Sequence, residues 1–176
     1  MAVLRLPVAA QPLADAAQDV TGQVRHPHPG QDEEARVIGR PRQPVSLLYI
    51  TGTADRINPL EGGATKMASG SGFKGVPDEA KPPVREMVRA WVKLLGCAPE
   101  AKLLASSFED ITTVVYGGGR DGTEVIFTTI EGHGHIWPGG KSPLPEFIRG
   151  KATRRLNATD AVWEFFQAHP KPNPTP

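Results

Sequence analysis

The sequence predicts an α/β domain: a mostly parallel sheet flanked by helices, over residues 44–170. Three observations carry it. "VSLLYI" (45–50) is a short apolar run bounded by Pro44 and Gly52, as expected of a strand buried on both faces. "PPVREMVRAWVKLLG" (82–96) has an apolar stripe at helical spacing. "TEVIFTTI" (123–130) is a second apolar strand, followed by Glu-Gly-His-Gly and then His135, much as a small-residue turn and then Asp55 follow the first.

The elements follow in order. Residues 1–43, with "TGQVRHPHPGQDEEARVIGRPRQ", mix Pro, Gly, Gln and charges without periodicity. They read as a low-structure leader that buries too little apolar surface to offset ordering entropy, with at most a weak Ala-rich helix over 4–20. In the helix at 82–96, Pro82 and Pro83 suit the first turn. Val84, Met87, Val88, Trp91 and Leu95 form its stripe, and Gly96 is its stop. "AKLLASS" (101–107) and "ITTVVY" (111–116) read as strands, and "GGGRDG" (117–122) as a hairpin turn. A last helix starts at the N-cap Asn157, with Asp160 in its first turn. Ala158, Val162, Phe165 and Phe166 face the core, with Trp163 on a flank. "PKPNPTP" (170–176) reads as a disordered tail.

Composition excludes several classes. The 176 residues carry a formal charge of +1, so no footprint for nucleic acid or an anionic membrane is visible. No run approaches the ~20 apolar residues of a membrane span. The N-terminus is a poor secretory signal, which points to a cytoplasmic chain as it stands. Cys97 is the single cysteine, so no intrachain disulfide forms, and it reads as a packed small residue after the helix.

The chemistry sits where the two strands end. Asp55 follows "LLYITGTA" and His135 follows "VIFTTIEGHG". In α/β sheets, sites gather beyond the carboxyl ends of strands. A carboxylate and an imidazole delivered there by neighbouring strands can form the lower half of a nucleophilic triad, the acid fixing the tautomer of the base. Alternatively, His133 and His135 form a His-x-His pair suited to zinc, though without a third ligand at recognisable spacing.

These segments resemble a known family. "LLYITGTADRINPLEGG" resembles the "HGTAD-x-x-x-P" segment of the polyhydroxybutyrate depolymerase and feruloyl esterase-like α/β-hydrolases. "GHGHIWPGG" resembles their "GGGHTWPGG", and "LNATDAVWEFFQAHP" resembles their closing helix. The resemblance implies the C-terminal portion of an α/β-hydrolase fold, with Asp55 as triad acid, His135 as triad base, and Trp137 and Pro138 shaping the His loop or contacting substrate. It implies a carboxylic ester as substrate (a polyester, a feruloyl ester or a small ester) and no metal or organic cofactor. Members are often secreted.

The chain departs from the family pattern. Thr51 stands where the family has His, and His133 where it has Gly. The nucleophile elbow G-x-S-x-G is absent. Ser46, Ser69, Ser71, Ser106, Ser107 and Ser142 all lack its context. The chain reads as a hydrolase half behind an unrelated leader, inactive alone. The rival reading is a non-catalytic truncated or partner-dependent fragment. Without the preceding strands, 45–50 would expose an unpaired apolar sheet edge, giving possible self-association.

Overall fold

The computed structural model describes residues 2–3, 41, 43–63 and 80–170. The bulk of the 1–43 leader, the expected helix at 4–20, the serines at 69 and 71 and the tail from 171 lie outside the described residues.

The elements are strands β1 (Ala2–Val3) and β2 (Leu47–Gly52), helix α1 (Val84–Leu95), strands β3 (Lys102–Leu104), β4 (Ile111–Tyr116) and β5 (Val125–Ile130), and helices α2 (Glu146–Arg149) and α3 (Ala158–Ala168). The strands form one sheet in the order β1-β2-β5-β4-β3. The class is α/β, but the expected mostly parallel sheet is corrected to a mixed one. Only β2–β5 is parallel, in register from Leu47↔Val125 to Gly52↔Ile130. The β1–β2, β4–β5 and β3–β4 pairings are antiparallel. The cause is connection length. Residues 117–124 are too few for a crossover, which takes a dozen or more. The glycine-rich turn therefore folds β4 back on β5, with Gly118 and Asp121 at positive φ. The parallel pair has the intervening chain, including α1, to make its crossover.

Side chains alternate across β2 and β5, and each face has its own core. Leu47, Tyr49, Val125 and Phe127 pack with Val84, Val88, Val92 and Leu95 of α1. Leu48, Ile50 and Ile130 pack with Ala158 and Phe165 of α3. All six residues of β2 are buried. At about 1.5–3 kcal/mol for each fully buried large apolar side chain, this two-sided burial is what pins the parallel pair.

The α1 stripe differs in detail from the expected one. Val92 takes a buried place, and Met87 and Trp91 are partly buried at the rim. Pro82 and Pro83 precede the first turn, with Pro83 at the N-cap, and Gly96 closes the helix at φ 72°. Asn157 caps α3 by accepting the Thr159 N–H at 3.0 Å. Trp163, on the outer side of α3, is exposed. The strand expected over 101–107 shrinks to three exposed residues at a sheet edge, where no second layer covers it among the described residues. Cys97 is buried with its thiol 3.7 Å from the Thr123 carbonyl, and burial followed by the Glu124 charge pushes that thiol above its ordinary pKa.

The outer edge of β2 is not bare, as the sequence suggested. Ala2 and Val3 pair with Ile50 and Tyr49. Among the described residues that cover is two residues long against a strand of six. Among the described residues, no helix is long and apolar enough to cross a membrane.

Candidate active site

Because β2 and β5 run parallel and in register, their chains leave the sheet side by side. Short main-chain bonds then knit the two exits together. The Thr53 N–H donates to the Ile130 carbonyl (3.0 Å), and the Ala54 N–H to the His133 carbonyl (3.0 Å). The Gly132 N–H donates to Thr53 Oγ1 at 2.9 Å. This closeness requires Gly52, since a Cβ there would come within 2.0 Å of the His133 carbonyl oxygen.

Asp55 is the first ionisable residue after this seam and is 3% exposed. Its Oδ1 accepts the N–H groups of Ile57 (2.9 Å) and Asn58 (2.8 Å), which makes an Asx-type turn ahead of Pro59. Its Oδ2 faces His135 Nδ1 at 2.9 Å. Burial pushes the carboxyl up in pKa. The hydrogen bond from His135, the Asn58 and Ile57 amides and the charge of His135 together outweigh it, so Asp55 sits below the ordinary carboxylate range. An ionised Asp55 only accepts, so His135 carries its proton on Nδ1. Nε2 of the neutral ring then holds a lone pair. The His135 side chain is 33% exposed. Among the described residues, Nε2 has no hydrogen-bond partner.

His133 has a different fate. It is buried, its Nδ1 accepts the Thr153 N–H at 3.0 Å, and its Nε2 donates to the Ile136 carbonyl at 2.8 Å. Burial, the largest influence, holds its pKa below the usual histidine range. It is a neutral brace whose only lone-pair nitrogen is already used. That argues against the His133–His135 metal pair, and no cluster of three candidate ligands occurs among the described residues.

The segment 149–153 clamps the His loop from outside. The His135 N–H donates to the Arg149 carbonyl at 2.6 Å, and the Gly134 N–H to the Lys151 carbonyl at 2.8 Å. Gly134 is as tight a point as Gly52: a Cβ there would come within 2.0 Å of the Arg149 carbonyl oxygen. Trp137 and Pro138 anchor the loop's far end to α3. Trp137 Nε1 donates to Thr159 Oγ1 at 3.0 Å, and the Pro138 carbonyl accepts the Ala158 N–H at 3.0 Å.

The structure thus brings Asp55 and His135 together and, among the described residues, gives them no nucleophile. Ser46 accepts the Glu124 N–H, Ser106 bonds to Phe108, and Ser142 accepts the Leu144 N–H. None of these, nor Ser107, is hydrogen bonded to His135. Sequence reasoning missed Gly52, Gly134, the bracing role of His133 and the clamp at 149–153. The signal available was the pair of glycines hugging each ionisable turn.

Comparison with known proteins agrees with an ester-hydrolase relationship at a coarse level. No family model matches the chain, and no solved structure matches it. A curated protein, Putative esterase NocK of Nocardia uniformis subsp. tsuyamanensis, is 29% identical over 131 residues, covering 72% of this chain and 38% of the relative. The chain therefore spans less than half the length of the protein it matches, and over most of its own length it is similar to an esterase.

Proposed function

We propose that this chain carries the acid and base of a serine-type carboxylic-ester hydrolase of the polyhydroxybutyrate depolymerase or feruloyl esterase kind. One observation carries the reading: the 2.9 Å Asp55–His135 bond at the adjoining carboxyl ends of two parallel strands. In this role His135 Nε2 takes the proton of an attacking hydroxyl. It then returns that proton to the alcohol leaving the acyl group, and repeats the cycle with water to free the acid. Asp55 fixes the tautomer and stabilises the imidazolium. The nucleophile and the oxyanion donors come from outside the described residues. A graft tests this directly. Residues 44–170 replace the matched 131 residues of the Nocardia protein, and the folded chimera is assayed beside its parent on chromogenic short-chain esters. Hydrolysis that disappears with His135→Ala is expected. A folded chimera that hydrolyses esters equally well with and without His135 sinks the proposal.

The chain by itself is expected to give no ester turnover above buffer and no labelling by a fluorophosphonate, with His135→Ala indistinguishable from the parent. Rates without the triad nucleophile fall to about 10³–10⁴-fold over water even where the oxyanion hole is intact. A labelled serine whose reaction needs His135 would instead place the nucleophile within the chain, at Ser69 or Ser71.

The partner-dependent reading is favoured by the edge of β2, where, among the described residues, six buried residues meet a two-residue cover. We propose that this edge recruits further backbone, from a second copy when nothing else is present. Size-exclusion chromatography is expected to show concentration-dependent oligomers. A compact monomer at high concentration would refute it.

A further inference from the structure

We propose that the site takes esters that also carry a carboxylate, recognised by a basic strap beside His135; this rests on the acid–base reading of Asp55 and His135. Between Glu131 and Leu156 the chain has five cations (Lys141, Arg149, Lys151, Arg154 and Arg155) against two acids, in a protein whose whole formal charge is +1. The positive charge is therefore concentrated in the segment that wraps the His loop.

Position ties this charge to the site. Arg149 and Lys151 are bonded through their carbonyls to the N–H groups of His135 and Gly134. A bridge also pairs Lys151 with His133. Hydrogen-bonded neighbours of this kind lie about 5 Å apart, so both cations spring from backbone adjoining His135.

Charge balance separates the cations. Arg155 is neutralised by Asp110 at 2.9 Å. Among the described residues, Arg149 has no acidic partner. Its guanidinium is half-buried and held in place by main-chain carbonyls, with Nε donating to Leu144 (2.9 Å) and Nη1 to Gly150 (3.0 Å). A guanidinium has five N–H donors, so three remain for an incoming group. Two donors in a fixed fork match a carboxylate. Holding such a group to two carbonyls already removes the side-chain freedom that binding would otherwise have to freeze. Exposed Lys151 and Arg154 add attraction at longer range.

The alternative is an ordinary solvated face in which Arg149 only staples its own turn. A titration of the isotopically labelled full chain, followed by NMR, separates the two. The probes are monoethyl succinate, diethyl succinate and inorganic phosphate. Monoethyl succinate is expected to move the amides of Arg149 and Lys151 and the His135 ring saturably, with affinity falling as salt rises. Diethyl succinate is expected to bind at least about tenfold more weakly, the loss expected when a charge-assisted pair is removed. Lys151→Ala, and separately Arg149→Ala, should each weaken the monoester severalfold. The salt dependence of the unmutated chain decides the matter if Arg149→Ala fails to fold. Equal binding of the two esters, no saturable shift at these residues, or a response to phosphate without one to the monoester would each overturn the proposal. The downfield Nδ1 proton of His135 is read in the same samples. Its presence without anion binding rejects the strap alone, whereas its absence rejects the Asp55–His135 reading underneath.

Discussion

Gly134→Ala is expected to destabilise the protein by roughly 3 kcal/mol or more, at or beyond the upper end of ordinary overpacking penalties. It should also erase the Asp55–His135 hydrogen bond. The new methyl group would come within 2.0 Å of the Arg149 carbonyl oxygen and 2.6 Å of the Gly150 Cα. Both neighbours are backbone, so no side-chain rotation relieves the overlap. The loop itself has to move, and the His135 N–H that bonds the same carbonyl moves with it. Gly132 provides the control. It has φ 68°, and a Cβ added there would meet nothing within 4 Å. Gly132→Ala should therefore cost only the ~1–2 kcal/mol of a left-handed alanine and leave the Asp55–His135 bond in place. Denaturant melts give the stability difference, and the downfield imidazole proton reports the bond. If Gly134→Ala melted like Gly132→Ala and kept that proton, the close packing of the clamp would not be what positions His135.

The contrast between these glycines shows how far the sequence could be read. Asp55 and His135 were legible because each ends an apolar strand, and parallel register delivers strand ends to one place. The two cores were legible from the apolar run at β2 and the helical stripe of α1. The direction of the sheet was less so. The turn at 117–122 already implied one antiparallel hairpin, but the flanking β3–β4 pairing leaves no sequence trace beyond a short connection. The exposed Leu103 and Leu104 read as a longer strand because apolarity alone does not say whether a second layer covers it. His133 shows the same limit at the site. Beside His135 it has the spacing of a ligand pair, and only its partners, the Thr153 amide and the Ile136 carbonyl, reveal a neutral brace. One partner lies across a loop contact and the other lies three residues along the same loop, and neither leaves a periodicity to read.

Replacing Asp55 in two ways is expected to separate its structural work from its chemical work. Asp55→Ala removes both oxygens. The Ile57 and Asn58 N–H groups lose their acceptor in a part-buried turn, at about 1 kcal/mol for each group, the lower end of the penalty for an unsatisfied buried group. His135 loses its anchor as well, so a substantial drop in melting temperature should accompany loss of function. Asp55→Asn keeps an amide oxygen where Oδ1 stands, so the turn survives. Its NH₂ group, however, now faces His135 Nδ1, which must become an acceptor. The ring proton moves to Nε2, the nitrogen proposed as base, and hydrolysis in the chimera should fall by about 10⁴-fold, the loss this change causes in a serine protease triad. The pH dependence follows from the same group. The folded-state pKa of Asp55 is depressed, so its contribution is present in full above the unfolded carboxylate value. It is lost as pH falls through the lower folded value. Acid unfolding of the parent should therefore draw on this residue, whereas Asp55→Asn should show a shallower loss of stability below the unfolded value. An Asp55→Asn chimera that kept most of its esterase rate would remove the carboxylate from the mechanism. Equal melting of the alanine and asparagine variants would remove it from the turn.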